Sequence, residues 1–371
     1  MALAMAVAVL AVFAFGMVTV FPGSIKLRLV ERTKMDDAQM GKSITVWQAS
    51  TLVLTILIGP LLDQLGHKPI VIVGFLLVGI AMCLFAIARR PRGVFFASVL
   101  LGAGGSCINT AGNTLLPALN TANPAAASNL GNVFFGLGAF IVPFVISFLF
   151  ARIQYTLAVA LFGFLSFAAV VPALFATYPA VSATYDWASA LSLLHNPTAL
   201  IAGVILFCYI GLEVSSASWT TTYLTDIGLS ESRASLIFSL FWVAMIIGRL
   251  VASRTVTTSV GKTTIEGVAL AAGLGLLVLT LTKSKAVASL VVIVTGLFYA
   301  PIFPTTVGVT FSKFPPSLYG SVFAIMFAIG LLGPSTIPAL IGYYSKTKSI
   351  RVGYRLMVML AVLLAIFALF L

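Results

Sequence analysis

Apolar runs interrupted by short polar or charged breaks make up nearly the whole chain. Twelve such runs can be delimited: Leu3–Ser24, Ser43–Leu65, Pro69–Ala88, Gly93–Leu119, Ala125–Ala151, Tyr155–Thr177, Thr198–Leu224, Arg233–Ala252, Thr263–Thr282, Ala286–Phe311, Leu318–Tyr344 and Tyr354–Leu371. Each is close to the roughly 20 residues a helix needs to cross the hydrocarbon core of a bilayer. They are continuous rather than short alternating segments, which excludes an outer-membrane barrel. The pattern predicts an all-α integral membrane protein with twelve transmembrane helices.

One mid-chain loop is long and mixed in character, Tyr178–Pro197, with Asp186, Trp187 and His195. It divides the spans six and six, giving an N-terminal bundle over 1–177, a linker over 178–197 and a C-terminal bundle over 198–371. Two equal halves on a linker are the layout of a transporter built from repeats, with solute held near the membrane midplane. Helix breakers recur inside the spans: Pro22-Gly23, Pro60, Pro117, Pro143, Pro172, Pro301, Pro304, Pro334 and Pro338. Backbone groups freed by such residues are tolerated where protein or a water-filled cavity satisfies them again. So many breakers favour a bundle that bends.

Composition removes the competing classes. Of 371 residues, 60% are hydrophobic and 8% charged, against about 25% charged in ordinary soluble chains; a water-soluble enzyme could not cover its surface with so few. The net charge of +12 comes from 21 Lys and Arg scattered through loops, which is membrane-flanking charge and not a nucleic-acid footprint. Cys83, Cys107 and Cys208 sit singly in apolar segments, without disulfide or zinc spacing. The apolar stretch Ala2–Phe21 lacks a basic leader and runs on into further spans, so it reads as a retained first helix. Gly261-Lys262-Thr263-Thr264 looks like the end of a phosphate loop, but Val256 stands at the motif's first glycine. Gly102-Ala103-Gly104 lacks the third glycine of a dinucleotide turn, and His67 and His195 have no metal-ligand companions. No catalytic pair, metal site or cofactor is expected.

The sharpest motif is Gly59-Pro60-Leu61-Leu62-Asp63-Gln64-Leu65-Gly66-His67-Lys68, between the second and third spans. Gly59 permits close helix approach and Gly66 a tight turn. Asp63 carries negative charge to where a neighbouring helix N-terminus could lie, and His67 and Lys68 supply interfacial cations. The run resembles the G-x-x-x-D-x-x-G-[R/H]-[K/R] signature of the major facilitator superfamily. That resemblance implies two pseudo-symmetric six-helix bundles, with the motif gating conformation and not binding solute.

Further stretches carry a narrower resemblance: Cys107-Ile108-Asn109-Thr110-Ala111-Gly112-Asn113, Asn129 to Ala139, Tyr209-Ile210-Gly211-Leu212-Glu213 with Ser218-Trp219, and Ser239-Leu240-Phe241-Trp242 with Gly248-Arg249-Leu250. Together they are similar to the fucose–galactose–glucose:proton symporter branch. The fucose symporter places one carboxylate in helix 1 and another in helix 4 for proton and sugar. Here the corresponding residues are Phe21-Pro22-Gly23-Ser24, with no acid, and Asn109 in place of Glu. That route of proton coupling is therefore missing its two acids, while Arg249 joins the gating set.

The same residues have a chemistry of their own. Asn109 and Asn113 are four apart and share a helix face; counted back from Leu119, Asn109 lies about 15 Å deep. Asn129 and Asn132 start the next span. Amides donate and accept, which suits a hydroxyl-rich solute, although interhelical glue is an equally good reading and the better one for Asn129. Glu213 is the one acid well inside a predicted span, costly there and by default functional; it is the candidate proton carrier. Trp219, Trp242, Trp47 and Tyr299 could stack on sugar faces or simply pack.

Orientation sets two rules against each other. With the N-terminus inside, the loops on the cytoplasmic side hold Lys68, Arg249, Arg254, Lys262 and Lys313, and the other sixteen of the 21 cations face out. This reverses the positive-inside rule, whereas the superfamily resemblance fixes the gating motif on the cytoplasmic side; the superfamily orientation is adopted. The expected function is secondary transport of a small polar solute, most simply a monosaccharide, coupled to protons through Glu213, with Asn109, Asn113, Asn132, Trp219, Trp242 and Tyr299 lining the pocket. The expected partners are that solute, a proton and the bilayer, for a monomer in a bacterial plasma membrane. Export of amphipathic or anionic molecules is the alternative, and a non-transporting sensor the alternative from another class.

Overall fold

The computed structural model describes residues 1–180 and 187–371, without the side chains of Asp37, Trp187 and Ser189. Asp186 of the linker lies outside the described residues. Among these, twelve helices are long and apolar enough to cross a membrane. In chain order they are α1 (Ala2–Thr33), α2 (Asp37–Leu65), α3 (His67–Ile87), α4 (Pro91–Leu119), α5 (Pro124–Phe150), α6 (Tyr155–Phe175), α7 (Pro197–Asp226), α8 (Glu231–Thr255), α9 (Thr258–Leu281), α10 (Lys285–Phe311), α11 (Pro316–Thr347) and α12 (Ile350–Ala368). Each predicted run falls on one of them. Two are interrupted: α10 breaks after Tyr299 and resumes at Ile302, and α11 breaks between Gly330 and Leu332.

The helices overrun the apolar segments where a polar neighbour supports them. The first run ends at Ser24, but α1 continues to Thr33. Its extra turns carry Arg28 over the Phe150 ring and Arg32 over Tyr155, with Arg32 Nε donating to the Ala88 carbonyl at 3.0 Å. Long basic side chains can lie along apolar surface in this way. α2 begins six residues earlier than its apolar run because Asp36 and Gln39 form a capping box: the Asp36 carboxylate accepts from the Gln39 amide at 2.6 Å, and the Gln39 side chain accepts from the Asp36 amide at 3.2 Å. Asn196 caps α7 with Pro197 at its first position.

By contact the chain forms two compact units. The first holds Met1–Leu119, Phe134–Ala190 and Pro316–Ala324; the second holds Asn120–Val133, Leu191–Pro315 and Ile325–Leu371. In the first, α4 is the central element, packed against α1, α2 and α3, while α6 closes on α3 and α1. In the second, α9 packs on α12 and α10, α7 on α11 and α12, and α8 on α10. The apolar residues outside these cores, such as Phe144, Phe164 and Leu274, remain exposed, as expected of side chains that face lipid.

Candidate functional site

Three polar groupings stand out in these apolar cores. The first surrounds the motif. α2 ends at Leu65 and α3 starts at His67, with Gly66 at φ 83° making the turn, a value that glycine takes without strain. One turn earlier, Asp63 is 6% exposed. Its Oδ1 accepts from the Gly320 amide at 2.7 Å, and its Oδ2 accepts from the Ser321 amide at 2.7 Å and the Ser321 hydroxyl at 2.6 Å. Gly320 and Ser321 open the helix Tyr319–Gly330, whose first amides have no partner within the helix and sit at its positive end. The negative charge thus meets a helix N-terminus, as the motif implies. The two helices approach closely because both contact residues are glycine: a Cβ on Gly59 would stand 2.4 Å from the Gly320 carbonyl oxygen.

His67 does not behave as an interfacial cation. It is buried, and its Nε2 lies 3.1 Å from the Thr114 hydroxyl. Thr114 donates its own proton to the Thr110 carbonyl at 2.7 Å, so the histidine nitrogen is the donor. Lys68, by contrast, is exposed. A cavity of about 140 Å³ lies beside this corner, lined by Asp63, Gly66, His67, Ala118, Pro316 and Ser317 among others.

The second grouping is on α4. Asn113 Nδ2 donates to both the Asn109 carbonyl, at 3.1 Å, and Asn109 Oδ1, at 2.8 Å. Both residues are buried, and Asn109 Nδ2 and the Thr110 hydroxyl find no hydrogen-bond partner among the described residues. A buried amide donor without a partner costs about 1–3 kcal/mol, a cost that a bound acceptor would relieve.

The third grouping, in the second unit, is built around Arg249. The sequence pattern groups this residue with the cations of the cytoplasmic loops, but in the structure it lies within α8, 2% exposed. Its Nη2 is 3.5 Å from Glu213 Oε1 and donates to the Tyr209 hydroxyl at 3.3 Å. Nη1 donates to the Asn132 main-chain carbonyl at 3.1 Å, and Nε to the Ala300 carbonyl at 3.3 Å. The Tyr209 hydroxyl also faces the Glu213 carboxylate. Glu213 is 14% exposed over its whole side chain, while its Oε1, the oxygen nearest the guanidinium, is buried. Tyr299 packs edge-on against Tyr209 and Phe241, and Trp242 edge-on against Phe241.

The cluster therefore brings together Glu213, Arg249 and the Asn132 backbone, with Tyr299 against Tyr209 beside them. The Asn132 side chain turns back to the Ser128 carbonyl at 3.0 Å. Trp219 stands about 9 Å further along α7 than Glu213, where its indole N–H donates to the Pro338 carbonyl at 3.0 Å. Asn129 bridges to the Thr305 hydroxyl at 2.9 Å, a helix-to-helix tie. Glu266 is a second acid inside a span, α9, eight residues from its start, where the shorter apolar run had put it near an end. Sequence reasoning singled out neither Tyr209, although it heads the Tyr-Ile-Gly-Leu-Glu run, nor the Ala300 carbonyl. For the latter the available signal was the pair Pro301 and Pro304 in one span.

Comparison with known proteins agrees with this architecture. The glucose/galactose transporter of Brucella abortus is 26% identical over 277 residues, which cover 67% of this chain and 65% of that protein. The Saccharomyces cerevisiae protein named Bypass of stop codon protein 6 is 29% identical over 170 residues, 43% of this chain and 34% of its own length. The match thus spans about two thirds of one relative and one third of the other. Among solved structures, the E. coli fucose:proton symporter FucP in its outward conformation superposes with a TM-score of 0.81 at 17% identity, covering 99% of this chain and 98% of that one. The human organic anion transporter MFSD10 gives 0.76 at 17% identity with the same coverage. At such identities the likeness is one of fold. The Major Facilitator Superfamily model matches residues 7–338, nearly the whole chain, and the chain belongs to that superfamily.

Proposed function

We propose that this carrier moves a small polar solute by alternating access, that the solute is a monosaccharide, and that Glu213 couples its movement to protons. The moving parts in this reading are the helical bundles 1–177 and 198–371. The observation that carries it is the Glu213–Arg249 pair: a carboxylate in the middle of α7, balanced by one guanidinium. A group so placed can hold charge or a proton as the site changes exposure. It also supplies the acid missing from helices 1 and 4. Asn109 and Asn113 offer the amide donors and acceptors that hydroxyl groups need. The sugars for which the Brucella relative and the E. coli fold neighbour are named support a sugar, and the bacterial relative supports a plasma-membrane setting.

Counterflow of radiolabelled hexoses into liposomes holding the purified protein tests the substrate. Exchange of label with an unlabelled hexose inside is expected. Absence of exchange with every hexose, from protein shown to be folded, removes the sugar.

A second reading rests on a separate observation. With Arg249 buried, four cations remain on the motif side of the membrane and sixteen on the other. A surface so uneven concentrates anions at its basic face, which favours an organic anion as solute. The same liposomes decide between the two, because an anionic solute would exchange where hexoses do not.

A further inference from the structure

The break in α10 has a covalent cause. Pro301 and Pro304 have no N–H, so the carbonyls of Leu297 and Ala300, four residues before each, lack their helical donors. Within a membrane such groups must be satisfied from elsewhere. The Ala300 carbonyl, fully buried, accepts from Arg249 Nε at 3.3 Å. α8 comes this close because residue 248 is glycine: a Cβ there would stand 2.9 Å from the Leu297 carbonyl oxygen and 2.6 Å from Ala300 Cβ. The neighbouring arginine then fills the place of the missing donor, while its other nitrogens hold α5 through Asn132 and α7 through Tyr209 and Glu213.

We infer that Arg249 is the positioning residue that carries the protonation state of Glu213 to the break in α10, so that loading a proton on α7 loosens α10. This rests on the reading of Glu213 as the proton carrier. With Glu213 ionised, the pair holds the guanidinium against the Ala300 carbonyl. When a proton from the aqueous phase binds the carboxylate, no other covalent bond forms or breaks, but the buried cation loses the counter-charge of Glu213. An unbalanced buried charge is strongly unfavourable, so the side chain turns to water or to a solute acceptor and releases the carbonyl.

The charged and titratable neighbours are few. Arg249 on α8, Tyr209 on α7 and Tyr299 on α10 face Glu213. α12 contributes Tyr354, whose hydroxyl donates to Thr220. α11 carries Tyr319, Tyr343, Tyr344 and Lys346 only near its ends, and α5 carries no titratable group.

Hydrogen–deuterium exchange of the full-length protein in lipid nanodiscs reads the break directly and needs no substrate. Glu213→Gln, which mimics the protonated acid, should speed exchange of the amides between Gly296 and Thr306 by about tenfold. In an Arg249→Gln background those amides should already be fast, and Glu213→Gln should add nothing. Arg249→Lys keeps a cation beside Glu213 but lacks the planar fork; should Arg249→Gln not fold, it gives the same test, with fast exchange whatever stands at 213. A purely structural arginine would leave Glu213→Gln without effect on α10, or with an equal effect in both backgrounds, and either result overturns the inference. Failure of hexose counterflow leaves this experiment untouched, and a flat exchange result beside intact proton-driven uptake sinks this inference alone.

Discussion

Asp63 and Gly320 are 257 residues apart in the chain and 2.7 Å apart in the structure, carboxylate oxygen to amide nitrogen. With the two bonds from Ser321, a single buried side chain satisfies two backbone donors and one hydroxyl at the start of a helix. Hydrogen bonds to an ionised group contribute about 1.5–3 kcal/mol each, so this contact is strong enough to hold α2 on α11 and must be broken whenever they part.

Asp63→Asn removes the charge and one acceptor while keeping the shape. It should lower thermal stability and reduce solute exchange by about tenfold, corresponding to roughly 1.4 kcal/mol, with the protein still folded. Melting in detergent and counterflow in liposomes check the two effects. Unchanged exchange would mean that the contact is not part of the transport cycle.

Gly59→Val tests the same seam by bulk instead of charge. A Cβ at residue 59 meets Ala324 Cβ and the Gly320 carbonyl oxygen, each at 2.4 Å, so α2 and α11 must separate. Overpacking of this kind costs about 1–3 kcal/mol. Gly41→Ala in the same helix, where nothing lies within 4 Å, is the control and should melt like the natural protein.

Asn109 offers a different readout, because its Nδ2 has no hydrogen-bond partner among the described residues. Asn109→Ala should raise the KM for exchange by about tenfold if that nitrogen donates to solute, with only a small loss of stability, because Asn113 Nδ2 loses Asn109 Oδ1 but keeps the Asn109 main-chain carbonyl as acceptor. Asn129→Ala, which removes the tie to Thr305, should do the reverse and lower the melting temperature while leaving KM in place.

What could be read from the sequence follows from the strength of each local signal. An apolar run of membrane length is unmistakable, so all twelve helices are found where hydropathy puts them. Their ends are less visible. The last turns of α1 look polar until Phe150 and Tyr155, distant in the chain, supply faces for Arg28 and Arg32. The motif announces Asp63, and helix dipole physics anticipates its partner. Arg249 was misread because a basic residue near the end of an apolar run resembles a loop cation; only the third dimension brings it to Glu213 and to a carbonyl orphaned by a proline. His67 was misread for the same reason, since Thr114 lies 47 residues away.

Topology can be settled by labelling. Lys34→Cys lies in the α1–α2 connection and Asn120→Cys in the α4–α5 connection, both exposed positions. Of the three native cysteines, Cys107 and Cys208 are buried and Cys83 is half-buried within α3; Cys83→Ser in the background removes the one that could react. In intact cells a membrane-impermeant maleimide should label Lys34→Cys and spare Asn120→Cys, which is the superfamily orientation. The opposite pattern would place the sixteen cations on the cytoplasmic face, as the positive-inside rule has it.

Proton coupling through Glu213 is the centre of this reading, and exchange and uphill uptake separate when only coupling is lost. In liposomes holding Glu213→Gln, hexose counterflow should persist at a rate near that of the natural protein, while accumulation driven by an inward proton gradient disappears. Undiminished accumulation by Glu213→Gln, at matched protein density, would show that the proton travels on another group.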